Sequence, residues 1–184
     1  MGGTFDPIHL GHLHIIDAVA DRFDQLLVIP TGQPWLRDSG PVASGPDRVE
    51  MCARALEDLS DPLQSKVALT DIEVRREGPT YTVDTIAQLK AFFPDDHFTL
   101  ILGSDAAASI QQWHKSKDLL KMVSILVVRR PGDVKSEFPE IDIDAIDISA
   151  TEVRQLLSTG ADASHFVSQS VLSYVQERGL YVSK

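Results

Sequence analysis

Short apolar runs, too brief for helices, alternate along this chain with segments of helical spacing, and that alternation restricts the fold more than any other feature. Residues 25–30 (QLLVIP), 98–102 (FTLIL) and 124–128 (SILVV) are dominated by apolar side chains, the pattern of strands covered on both faces. Between them, Leu13, Ile16, Ala20 and Phe23 recur at helical intervals, as do Val83, Ile86, Leu89 and Phe93 before Pro94. Asp47 reads as the cap of a helix carrying Val49, Cys52, Ala53 and Leu56, and a further helical stretch runs from Asp105 through Met122. Residues 67–74 and 141–148 alternate apolar and polar positions and read as strands with one wet face. Residues 151–158 and 168–178 read as helices, the second closed by Gly179. Strand and helix in alternation imply parallel strands joined by right-handed crossovers. The expected fold is therefore α/β, a Rossmann-like doubly wound, mainly parallel sheet with helices on both faces. A length of 184 residues suits a single domain spanning 1–184.

Composition excludes several classes. Seventeen basic against 27 acidic side chains leave a formal charge of −10, which disfavours a sequence-independent grip on nucleic acid. The apolar runs stop far short of the ~20 residues that a membrane helix needs. One cysteine, Cys52, excludes an internal disulfide and a Cys-rich metal site and fits a reducing compartment. Residues 1–7 (MGGTFDP) carry neither a basic head nor an apolar segment, so a secretory leader is not expected and a cytoplasmic location is.

In doubly wound sheets, ligands bind beyond the carboxyl ends of the strands. That rule selects residues 2–12, 31–46, 103–105 and 148–154. The first reads GGTFDPIHLGH. Gly2 and Gly3 permit a tight turn and close approach of a ligand to the backbone, and Pro7 stiffens it. His9 and His12, three apart around Gly11 at a helix start, put two imidazoles on one side of that start. Free N–H groups there attract anions, and the two rings add donors for a phosphate gaining negative charge. A zinc reading of the pair lacks a third ligand at characteristic spacing. In the last segment, ISATEVR, Ser149 or Thr151 reads equally well as an ordinary helix cap with Arg154 on a wet face.

GGTFDPIHLGH resembles the T/HxGH signature of the nucleotidyltransferase superfamily, in the fuller form of the nicotinate-nucleotide adenylyltransferases. Three further segments match that family in order: GPTYTVDT at 78–85, LGSDAAASIQQWHK at 102–115 and ISATEVR at 148–154. The resemblance implies transfer of the AMP moiety of ATP to nicotinate mononucleotide, with release of pyrophosphate. It implies catalytic roles for His9, His12 and Arg154. It places ATP against Gly3, Thr4, Phe5, Gly11, Arg37, Gly103, Asp105, Ile148, Ser149 and Thr151, with Gly103 admitting the adenosine and Asp105 accepting from its ribose. It places the pyridine nucleotide against Tyr81, Thr82, Trp113 and His114. Mg²⁺ is expected to arrive with ATP, held by phosphates and water, with no protein metal site. ATP and nicotinate mononucleotide are the expected partners, with no nucleic acid and no membrane, and a homo-oligomer is compatible with the sequence. Two other readings stand beside this one: a sister adenylyltransferase acting on nicotinamide mononucleotide or phosphopantetheine, and a non-catalytic nucleotide sensor.

The chain departs from the family twice. Where the family often carries PPHK or PPHR, residues 34–37 read PWLR, which keeps a cation in Arg37 and replaces the histidine by Leu36. Family members also carry an apolar segment before GGTFDP that forms the central strand, whereas only Met1 precedes Gly2 here. The expectation is a sheet short of its first strand, or a native start upstream of Met1, with added upstream residues raising stability and activity.

The charge of −10 and a polyanionic substrate are reconciled in space. Arg37, Arg154, His9 and His12 are expected to converge on one cleft, while Glu137, Glu140, Asp142, Asp144 and Asp147 crowd elsewhere.

Overall fold

The computed structural model describes residues 1–34, 40–129, 133, 135–144 and 148–182. The chain opens with a two-residue strand, β1 (Gly2–Gly3), and turns into α1 (Leu10–Ala20). Next come β2 (Leu26–Pro30), β3 (Gln33–Pro34), α2 (Gly45–Glu57), α3 (Asp61–Gln64), β4 (Val67–Leu69), β5 (Pro79–Thr80) and α4 (Thr82–Phe92). The second half holds β6 (Thr99–Gly103), α5 (Ser104–Ala108), a 3₁₀ turn over Ile110–Gln112 and α6 (Ser116–Met122). It ends with β7 (Ser124–Arg129), β8 (Glu140–Asp142), α7 (Ala150–Thr159) and α8 (Gln169–Arg178).

Every registered strand pair among the described residues is parallel. One sheet runs β1-β2-β4, a second runs β6-β7-β8, and β1 lies against β6. The strand order thus reverses between β1 and β6, which is where doubly wound folds place their ligands. β3 and β5 form a separate small ladder that ties the loop after β2 to the segment before α4.

Alternate strand residues supply two cores, one on each sheet face. Leu26, Val28, Ile101 and Val128 join α1, α2, α7 and α8 through Ile16, Met51, Val153 and Val171. Ile29, Leu100, Leu102 and Val127 join α4 and α6 through Ile86, Leu89 and Leu119. Period-two alternation with both faces covered explains why these strands read as continuous apolar runs. The expected α/β architecture with helices on both faces is therefore present.

Several local expectations need correction. Ser44, not Asp47, caps α2: its Oγ accepts the Asp47 N–H at 3.2 Å, and the buried face runs through Arg48, Met51, Cys52, Ala55 and Leu56. The strand expected over 67–74 stops at Leu69, and the Glu73 side chain turns inward, where its carboxylate accepts the Thr85 hydroxyl at 2.8 Å. The helical stretch expected through Met122 breaks around Trp113, which is extended, and Lys115, whose φ of 49° is left-handed. Of the strand expected over 141–148, β8 covers the start, and residues 145–147 lie outside the described set. Among the described residues, no helix is long and apolar enough to cross a membrane.

Candidate active site

Gly3 and Phe5 shape the first loop together. Phe5 is left-handed, with φ of 49°, and its buried ring tucks beneath Gly3, so that a Cβ on Gly3 would sit 2.8 Å from Phe5 Cζ. The space that a Cβ on Gly3 would need is taken by this ring. Gly32 is equally confined on the neighbouring loop, where a Cβ would lie 2.2 Å from the Glu73 carbonyl oxygen, leaving no room for one.

The loop delivers His9 as the N-cap of α1, with His12 at its third position. The two imidazoles stack with centroids 3.7 Å apart, and Phe5 meets His12 edge-on at 5.0 Å. The His9 N–H donates to His12 Nδ1 at 3.2 Å, the return half of a capping box with histidine in place of the usual glutamate. A ring nitrogen that accepts is unprotonated, so neutral His12 carries its proton on Nε2. Gly11, buried in α1, leaves the helix start narrow beneath the pair.

α7 meets this loop from the other end of the chain. Ser149 caps α7 by accepting the Glu152 N–H at 3.1 Å, and Ile148 before it is buried in the core. The Arg154 guanidinium donates from Nη1 to the Asp6 carbonyl at 2.7 Å and from Nη2 to Thr151 Oγ1 at 3.2 Å. Arg154 is thereby fixed against the histidine loop, with an edge of its fork turned to the α7 start.

A cavity of about 1170 Å³ opens beside the switch point. Gly3, Thr4, Tyr81, Thr82, Trp113 and His114 are among the residues that line it. Tyr81 caps α4, and its ring lies over His114 with centroids 4.1 Å apart. Trp113 and His114, both half-buried, stand just before the break at Lys115. Gly103 and Asp105 stand exposed at the carboxyl end of β6, and a Cβ on Gly103 would meet nothing within 4 Å. Arg37 lies outside the described residues.

The structure brings together two of the sets expected from sequence: His9, His12, Arg154 and Thr151 around Asp6, and Tyr81, Thr82, Trp113 and His114 around Gly3 and Thr4. Phe5, Gly11 and Ile148 are buried, so their contribution to a site is through main chain and shape.

Three residues absent from the sequence reading hold these sets. The carboxylate of Asp6, 4% exposed, accepts the N–H groups of Val42 and Ala43 at 2.7 and 3.0 Å and the Tyr181 hydroxyl at 2.7 Å. Burial and this bond push the Tyr181 phenol far above its usual range. Arg48 is buried along the α2 stripe and donates to the carbonyls of Thr4 at 2.8 Å and Gly32 at 3.4 Å, joining the first loop to the second. Burial lowers its guanidinium from the usual value. Asp6 sits inside the quoted motif, and an arginine within an apolar helical stripe was a signal for Arg48. Tyr181, 175 positions from Asp6, had none.

Comparison with known proteins shows the family. A family model described as cytidylyltransferase-like matches residues 1–156. The chain is 33% identical to a protein of Dehalococcoides mccartyi strain CBDB1 named as a probable nicotinate-nucleotide adenylyltransferase, covering 100% of this chain and 96% of that one. It is 36% identical to a Streptomyces coelicolor protein of the same name, covering 98% of each. Among solved structures, the nicotinic acid mononucleotide adenylyltransferase of Plasmodium falciparum complexed with NaAD superposes with a TM-score of 0.83. It shares 23% identity and covers 98% of this chain and 94% of its own, which is a likeness of fold.

Proposed function

Because the chain belongs to the nicotinate-nucleotide adenylyltransferases of the cytidylyltransferase-like family, we propose that it transfers AMP from ATP to nicotinate mononucleotide, giving nicotinate adenine dinucleotide and pyrophosphate. The observation that carries this reading is the convergence of the His9–His12 stack and Arg154 on one short loop through Asp6.

In this reaction a 5′-phosphate oxygen of the mononucleotide attacks the α-phosphorus of ATP, and the bond to the bridging oxygen breaks as pyrophosphate departs. Such a transfer needs in-line positioning and charge neutralisation more than covalent help. His9 and His12, at the positive end of α1, donate to the triphosphate as negative charge moves onto the leaving group. Arg154 holds the β- and γ-phosphates with its planar fork, and Ser149, Thr151 and the first N–H groups of α7 complete the cradle. Gly3, Thr4, Phe5 and Gly11 shape the bed of the nucleotide, Gly103 and Asp105 receive the adenosine, and Arg37 adds a cation. Tyr81, Thr82, Trp113 and His114 receive the pyridine nucleotide, the aromatic rings offering flat apolar faces to it.

Mg²⁺ enters with ATP, held mainly by the phosphates and water. When bound, it neutralises phosphate charge alongside the protein's own donors. The single cysteine, Cys52, is a buried, inert thiol pushed up to about 12 by burial, and a chain with one cysteine suits a reducing cytoplasm. The excess of acids disfavours nucleic acid as a partner.

The test follows pyrophosphate release from ATP with nicotinate mononucleotide, nicotinamide mononucleotide or phosphopantetheine. The expected result is release with a clear preference for the first. Preference for another acceptor assigns the chain to a sister activity, and no release with any of them assigns it to nucleotide sensing.

A further inference from the structure

The turns between β4 and β5 are seated on two glycines of other elements. The Glu73 carbonyl oxygen takes the place that a Cβ on Gly32 would need, and Val74 Cγ1 lies 2.6 Å from where one on Gly45 would stand. Within the segment, Arg75 N donates to the Asp71 carbonyl at 3.0 Å and Arg76 N to the Glu73 carbonyl at 3.1 Å. With the main chain fixed in this way, the side chains of Glu73 and Arg76 both reach α4. Glu73 and Thr85 line the same cavity as Tyr81 and Thr82.

Glu73 is 8% exposed, and a carboxylate so buried is stable only with bonded partners. The Thr85 hydroxyl donates to its Oε1 at 2.8 Å. The same hydroxyl accepts from Arg76 Nη1 at 3.1 Å, while Arg76 Nη2 donates to Gln88 Oε1 at 3.1 Å. The guanidinium thus clamps two residues three apart on one face of α4. Thr85 also closes the first turn of the helix, its N–H donating to the Tyr81 carbonyl at 3.2 Å. Tyr81 is the extended N-cap, and its ring lies over His114 with centroids 4.1 Å apart. Tyrosine is not among the residues whose side chains close a helix start, so the placing of this turn falls to Thr85.

We propose that Glu73 is a positioning residue for the pyridine nucleotide: with Thr85 and Arg76 it fixes the first turn of α4, and with it the Tyr81 ring over His114, on the wall of the cavity. This rests on the reading that gives Tyr81, Thr82, Trp113 and His114 to that substrate. The bonds of the network run to the helix that carries Tyr81 and Thr82, so its loss weakens the hold on the mononucleotide and spares the hold on ATP. A cap that is 1 Å out of place costs a positioned substrate far more than it costs the fold.

Thr85→Val removes the hydroxyl and leaves the Glu73 carboxylate stranded, and Thr85→Ser restores the hydroxyl. Steady-state kinetics with each substrate varied in turn, and NMR of the Tyr81 ring protons in the ligand-free protein, compare both variants with the parent. Thr85→Val is expected to raise KM for nicotinate mononucleotide by about tenfold, with KM for ATP within about twofold of the parent. It is also expected to move the Tyr81 ring signals out of the shielding of His114, and Thr85→Ser to return both readouts to near the parent. Arg76→Gln, at a half-buried position, removes the clamp while the carboxylate keeps its hydroxyl. It is expected to raise the same KM by about threefold, and it decides the matter if Thr85→Val does not fold. KM values that rise together for both substrates, or Tyr81 signals that stay where the parent has them, overturn the proposal. The parent's own choice of acceptor tests the reading of the site, whereas the ring signals of the ligand-free protein test the positioning, so the two fail separately.

Discussion

Arg154 donates to the main-chain carbonyl of Asp6 at 2.7 Å across 148 positions of sequence, so the last motif of the chain is anchored to the first. The same aspartate spends its carboxylate on Val42, Ala43 and Tyr181. One residue therefore registers the histidine loop, the far end of the loop after β2, the guanidinium on α7 and the C-terminal segment.

Arg154→Lys keeps the charge and removes the planar fork. It is expected to lower kcat/KM for ATP by on the order of 10²-fold while leaving the fold intact, because a point charge cannot bridge the Asp6 carbonyl and a phosphate together. Steady-state kinetics beside far-UV circular dichroism measure both. A variant as active as the parent removes Arg154 from the phosphate site.

Arg48→Met replaces a buried guanidinium by an apolar chain of similar length and strands the carbonyls of Thr4 and Gly32. Each lost bond of this kind costs about 1–3 kcal/mol, so denaturant unfolding should show a clear fall in stability with an unchanged m-value. Stability equal to the parent would mean that the two loops hold each other without the arginine.

Gly3→Ala places a methyl group 2.8 Å from Phe5 Cζ. Phe5 is held left-handed and buried and has little room to withdraw, so the expected loss is about 1–3 kcal/mol. The paired substitution Gly3→Ala with Phe5→Leu should recover part of it, and a double variant that simply adds the two losses would separate the glycine from the ring.

Asp47 is held below the usual carboxylate range, first by the Ser44 hydroxyl at 2.6 Å and also by Tyr174 and Arg178, against a smaller opposing effect of burial. A carboxylate depressed in the folded state contributes stability above its unfolded pKa of about 3.9, and that contribution is lost as pH falls through the lower folded value. Melting curves from pH 6 to pH 2 should therefore show a shallower acid loss in Asp47→Asn than in the parent. Parallel curves would remove Asp47 from the acid transition.

What was legible in the sequence was mostly local or periodic. Residues covered on both sheet faces must be apolar throughout, so β2, β6 and β7 stood out, and Ser149 and Gly179 cap their helices where turn chemistry put them. The histidine pair and Arg154 were visible as motifs, and the fold then joined them. The misses have long-range or atypical causes. Lys115 adopts a left-handed conformation that glycine usually signals, so the break beside Trp113 and His114 was hidden within a helical pattern. β4 ends at Leu69, and beyond it the Glu73 side chain turns inward to Thr85, a residue on another element. The roles of Asp6 and Tyr181 arise from a contact between the two ends of the chain, which no window along the sequence contains.

The most direct measurement of the account is the turnover of His12→Ala. With ATP and nicotinate mononucleotide at saturation, pyrophosphate release should fall on the order of 10²–10⁴-fold from the parent, with the folded circular dichroism spectrum retained. A kcat within a few-fold of the parent would contradict the assignment of the stacked histidines to the transferring phosphate.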